Sequence, residues 1–84
     1  MRTFPVHILI VQTQGKKFTL EVNQGMPVSV FATLISNHTS ISPNSMRLIY
    51  AGKELAPRER DREKKMLRDY GVTPNMTFHV AQRG

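Results

Sequence analysis

The stretch Met46-Arg47-Leu48-Ile49-Tyr50-Ala51-Gly52-Lys53-Glu54-Leu55 constrains this fold more than any other part of the chain. Leu48 and Tyr50 alternate with Arg47 and Ile49, which is the two-residue period of a strand with one face on a core. Gly52 follows where the chain has to reverse, and a residue without a Cβ takes the positive φ of a tight turn at little steric cost. Leu55 then returns an apolar side chain to the core. A short strand, a tight turn and a second short strand are therefore expected, with Arg47, Ile49 and Lys53 left on the outside.

The same reasoning orders the rest of the chain. Val6, Ile8 and Ile10 alternate with His7, Leu9 and Val11 as a first strand, and Phe18, Leu20 and Val22 alternate with Lys17, Thr19 and Glu21 as a second. Thr13-Gln14-Gly15-Lys16 between them reads as a hairpin turn. Pro27 opens a helix in which Val28, Phe31 and Ile35 recur on one face, widened by Val30 and Leu34, and which fades near Asn37 to Ser40. Its valines and threonine are mediocre helix formers, so packing must supply most of its stability. After the turn-rich Ile41 to Ser45 and the signature strand, the run from Ala56 to Lys65 is charged without apolar period and is expected to be irregular. Met66 to Val72 follows, and then Phe78 and Val80 alternate with Thr77, His79 and Ala81 in a last strand.

With 84 residues, 39% of them hydrophobic, and no repeat or linker, the chain reads as one domain spanning 1–84. Without cysteine it has neither disulfide nor thiolate chemistry. The apolar run after Arg2 is too short to cross a membrane, contains His7 and lacks a small-residue cleavage site, which points to a cytoplasmic or nuclear protein. A formal charge of +6 permits acidic partners without requiring them. His7, His38 and His79 lie far apart in sequence, with no carboxylate or cysteine at ligand spacing, so no metal site is expected. No acid–histidine pair is evident to activate Ser36, Ser40, Ser42 or Ser45, and Gly25 and Gly52 form no phosphate cradle. Neither an enzyme nor a cofactor is expected.

Several motifs in order resemble the ubiquitin family. Met46 to Leu55 is similar to "RLIFAGKxL", Thr19-Leu20-Glu21-Val22 to "TLEV", Leu67-Arg68-Asp69-Tyr70 to "LSDY" and Phe78-His79-Val80 to "LHL". The resemblance spans Val6 to about Arg83 and implies an α+β, ubiquitin-like β-grasp: a mixed sheet of four to five strands packed on one helix. Residues 1–5 then form an N-terminal extension and about 57–65 a charged loop insertion. The apolar pattern places Val6, Ile8, Ile10, Phe18, Leu20, Val22, Val28, Phe31, Ile35, Leu48, Tyr50, Leu55, Leu67, Val72, Phe78 and Val80 in the core. Tyr70 is expected to bury its ring and hydrogen-bond its hydroxyl to backbone.

The resemblance also implies a recognition face, which in ubiquitin centres on leucine, isoleucine, histidine and valine ringed by cations. Ile49 and His79 match the isoleucine and histidine, and Arg47, Gly52, Lys53 and Arg83 match flanking positions. Thr13 and Ala81 replace the leucine and valine, which shrinks the patch, while Leu9 and Val11 extend it along the first strand. The chain closes Val80-Ala81-Gln82-Arg83-Gly84 with one glycine rather than a mobile Gly-Gly tail, and most ubiquitin lysines have no counterpart. The expected function is therefore a monomeric, non-conjugated interaction module within a larger protein of the ubiquitin–proteasome pathway. Its partners would be ubiquitin-binding helices, proteasomal ubiquitin receptors or another domain of its parent chain. The alternative is an RNA-associated domain that uses the basic loop Arg58, Arg60, Arg62, Lys64 and Lys65, and a conjugatable modifier stands behind both. Exposed aromatics for base stacking are lacking apart from Phe4.

Overall fold

In the computed structural model, residues 2–11 and 16–82 are described, Glu59 by its backbone only. The strands are β1 Phe4–Ile10, β2 Lys16–Val22, β3 Met46–Tyr50, β4 Lys53–Glu54 and β5 Thr77–Gln82, and the helices are α1 Val28–His38 and α2 Glu59–Lys64. The five strands form one sheet in the order β2-β1-β5-β3-β4, with β1 parallel to β5 and the other pairs antiparallel. Val6, Ile8 and Ile10 point to the core, where they meet Phe78 and Val80 of β5 and Val28, Phe31 and Ile35 of α1. The Phe31 and Phe78 rings meet edge to face at 5.1 Å, an arrangement favoured by the ring quadrupole. This mixed sheet on one principal helix is the β-grasp expected from the sequence.

Several boundaries and burials differ from expectation. Phe4 and Pro5 are not an extension: they pair with Val22 and Glu21, because β2 is long enough to offer them a partner. The hairpin turn assigned to Thr13, Gln14 and Gly15 lies outside the described residues. Val30 faces solvent, and Ala32 takes the buried place on α1, since the helix turns 100° per residue and its fully apolar stripe runs through 28, 31, 32 and 35. Phe18 and Tyr50 sit at the rim of the core rather than inside it. Phe18 stacks on His38 at 4.9 Å, and Tyr50 leans on Phe78 at 5.7 Å with its outer edge open to solvent. Tyr70 is exposed rather than buried, because it ends a 3-10 turn, Leu67–Tyr70, that turns only Leu67 inward. Ile41, Met46, Ala56 and Met76 complete the core beyond the expected set.

The largest departure is the charged run. It contains a six-residue helix, α2, packed against α1, and its Arg62 is only 4% exposed. Arg62 Nε donates to the Ala56 carbonyl at 3.2 Å, and its two terminal nitrogens donate to the Pro43 and Met46 carbonyls. Buried carbonyls need donors, and a guanidinium carries five N–H groups in one plane. Arg62 thus clasps the ends of three segments and is absent from the exposed basic loop proposed from sequence.

Candidate protein-docking face

The register of the sheet assembles the outer face. Leu9 of β1 stands opposite His79 of β5, and His79 stands opposite Ile49 of β3. Directly opposed residues present their side chains on the same side of a sheet. Leu9, His79 and Ile49 therefore form one row across three strands, with Lys17 at the β2 end and Glu54 at the β4 end. Ala81 lies opposite Arg47 two residues further along. Leu9, Ile49 and Ala81 are half-buried, His79 and Arg47 are exposed, and Val11 beyond the end of β1 is 54% exposed.

The β3–β4 turn frames this row. Tyr50 pairs with Lys53, and the two residues between them, Ala51 at φ 52° and Gly52 at φ 79°, both lie in the left-handed region. Two consecutive positive φ values match the right-handed twist of the flanking strands. The turn places exposed Lys53 opposite Tyr50, so its side chain leaves on the Tyr50 side of the sheet and not within the row. Glu54, which the sequence reading passed over, stands opposite Ile49, and its carboxylate accepts from Arg47 Nε at 3.2 Å and pairs with the same guanidinium's terminal nitrogen at 3.2 Å. Arg47 is thus held beside the apolar row with part of its charge already compensated. Its signal in the sequence was faint, an acid seven residues after an arginine across a glycine turn.

On the row's other flank, His7 Nδ1 lies 3.3 Å from the Thr19 hydroxyl. Thr13 and Arg83 lie outside the described residues. Of the basic loop, Arg58, Arg60, Lys64 and Lys65 are exposed, whereas Arg62 is committed to backbone carbonyls.

The family model for the ubiquitin family matches residues 8–84. This chain belongs to the ubiquitin family. Among curated relatives, it is 34% identical over 70 residues to Ubiquitin-like protein 4A of Esox lucius, covering 83% of this chain and 42% of that protein. It is 32% identical over 76 residues to Ubiquitin-like protein 4A-B of Salmo salar, covering 90% and 46%. The chain thus spans less than half the length of these relatives. Among solved structures, the UBL domain of Plasmodium falciparum Dsk2 superposes with a TM-score of 0.81 at 25% identity, covering 96% of this chain and 99% of that one. A ubiquitin-like domain from Arabidopsis thaliana gives 0.84 at 26% identity, covering 100% and 81%. No helix among the described residues is long and apolar enough to cross a membrane.

Proposed function

We propose that this ubiquitin-family chain is an interaction module that docks proteins through the Leu9–His79–Ile49 row. The observation that carries the reading is the continuity of that row across three hydrogen-bonded strands on the side of the sheet away from the core. A rigid sheet holds the side chains in place before binding, so little ordering entropy is lost on docking. Ile49 is the anchor, set in an apolar groove of the partner. Leu9 and Ala81 extend the contact, Arg47 lines its edge, and the Gly52–Lys53 turn closes the end of the row. Apolar side chains at the centre and charges at the border are the usual anatomy of a docking patch.

The partners proposed are ubiquitin-binding helices, such as those of proteasomal ubiquitin receptors, or another domain of a longer parent chain in the cytoplasm or nucleus. The test is an amide NMR titration of the labelled protein with a ubiquitin-interacting helix. Shifts are expected at Leu9, Ile49, Lys53 and His79, and Ile49→Ala is expected to weaken the complex by about 1–3 kcal/mol while leaving the spectrum folded. Unmoved signals in this row, or an affinity indifferent to Ile49→Ala, place the docking site elsewhere.

A further inference from the structure

At the end of the molecule where β1 begins, Arg2, Phe4, Gln24, Gly25, Arg68 and Pro74 enclose an open cleft of about 450 Å³. It is separate from the docking row. Phe4 and Leu9 are five residues apart on β1, about 17 Å at the rise of a strand, and Phe4 lies on the core side of the sheet whereas Leu9 faces out.

The walls come from three segments tied together by hydrogen bonds. Arg68 N–H donates to the Gln24 carbonyl at 3.0 Å, Gln24 Nε2 donates to the Val72 carbonyl at 3.1 Å, and Asn75 N–H donates to the Pro5 carbonyl at 2.8 Å. The cleft is therefore formed before any ligand arrives.

Its electrostatics are one-sided. Two guanidiniums border it, no carboxylate lines it, and neither arginine has an ion-pair partner among the described residues. The neighbouring acids are turned to other work. Asp69 accepts from the Met66 N–H at 2.8 Å, and Glu21 stands opposite Pro5, on the other side of the sheet from Phe4.

We propose that this cleft is a binding site for a phosphorylated serine or threonine on a partner peptide. A phosphomonoester carries a charge of about −1.5 to −2 near neutral pH and offers three acceptor oxygens, which two five-donor guanidiniums match in charge and in donor supply. A side-chain carboxylate brings half that charge and leaves one arginine uncompensated. Phe4 and Pro74 supply an apolar wall for the residue beside the phosphate. RNA fits less well, because each phosphodiester carries a single charge and one aromatic ring in the cleft is a short platform for successive bases.

The test is an NMR titration of the labelled 84-residue chain with a degenerate phosphothreonine peptide mixture, the same mixture after dephosphorylation, inorganic phosphate and oligouridylate. The phosphopeptides are expected to shift the amides of Gln24, Gly25 and Arg68 saturably, and dephosphorylation to weaken binding at least tenfold. Arg68→Ala and Arg2→Ala change exposed side chains, so each is expected to keep the folded spectrum and to lose the response at least tenfold. Equal response to both peptide mixtures, no response, or a response that survives both substitutions overturns the proposal. Inorganic phosphate as the sole ligand reduces the cleft to an ion site, and tighter binding of oligouridylate makes it a nucleic-acid contact; either result overturns the peptide assignment.

Discussion

At the residue scale, the β3–β4 turn concentrates most of the backbone cost near the docking row. Alanine at φ 52° places its Cβ against the following carbonyl, a penalty of about 1–2 kcal/mol that glycine avoids and asparagine reduces. Ala51→Asn is therefore expected to raise stability by about 0.5–1 kcal/mol, read from the denaturant midpoint at unchanged slope. Gly52 works the other way. A Cβ built there meets nothing within 4 Å, so the cost of a side chain is conformational alone. Gly52→Val is expected to lose about 1–2 kcal/mol and to broaden the amides of β4. A stable, unperturbed Gly52→Val protein contradicts the two-residue turn. These positions hold Glu54 opposite Ile49, so the geometry of the patch depends on them.

At the scale of elements, α2 is the part of the molecule whose stability its own sequence explains least. A six-residue helix is far below the length that persists alone, and no side chain caps its N-terminus. Arg62 supplies what local propensity does not, joining α2 to the turn before β3 and to Ala56, which is itself buried with φ at 42°. Arg62→Ala removes the donors of three carbonyls and is expected to cost about 2–4 kcal/mol in urea denaturation. Arg62→Lys keeps the charge but not the planar fork, and should recover less than half of that loss. An Arg62→Ala protein within about 0.5 kcal/mol of its parent shows that α2 is held by other contacts. By contrast, α1 needs no such clasp, because its stripe of Val28, Phe31, Ala32 and Ile35 is buried against the sheet.

At the scale of the whole molecule, β1, β5 and β3 are the interior of the sheet, each hydrogen-bonded on both sides, while β2 and β4 are edges, and β1 and β5 pair at the centre. Amide exchange is expected to be slowest at Ile8, Ile10, Phe78 and Val80 and fastest in the two-residue β4; faster exchange in β1 than in β4 contradicts this order. Much of this architecture was legible from the sequence, because strand alternation and the helical stripe are periodic and a core selects them directly. That reading placed Leu48, Leu55, Phe31 and Val80 inside and located the turn at Gly52. The docking row was legible only in part: Ile49 and His79 came from motif order, whereas their alignment with Leu9 and the pairing of Arg47 with Glu54 depend on register between distant strands. The arginine-lined cleft and the burial of Arg62 had no local signal, since a charged residue looks solvated in sequence wherever it stands. The sequence by itself determined the periods of the strands and of α1 and, with them, most of the apolar side chains that leave water, because those follow from chemistry and spacing; Phe18, Tyr50 and Tyr70 stayed at the surface. Only the tertiary structure decided which charges meet a partner, a carbonyl or open solvent, because those encounters depend on segments far apart in the chain.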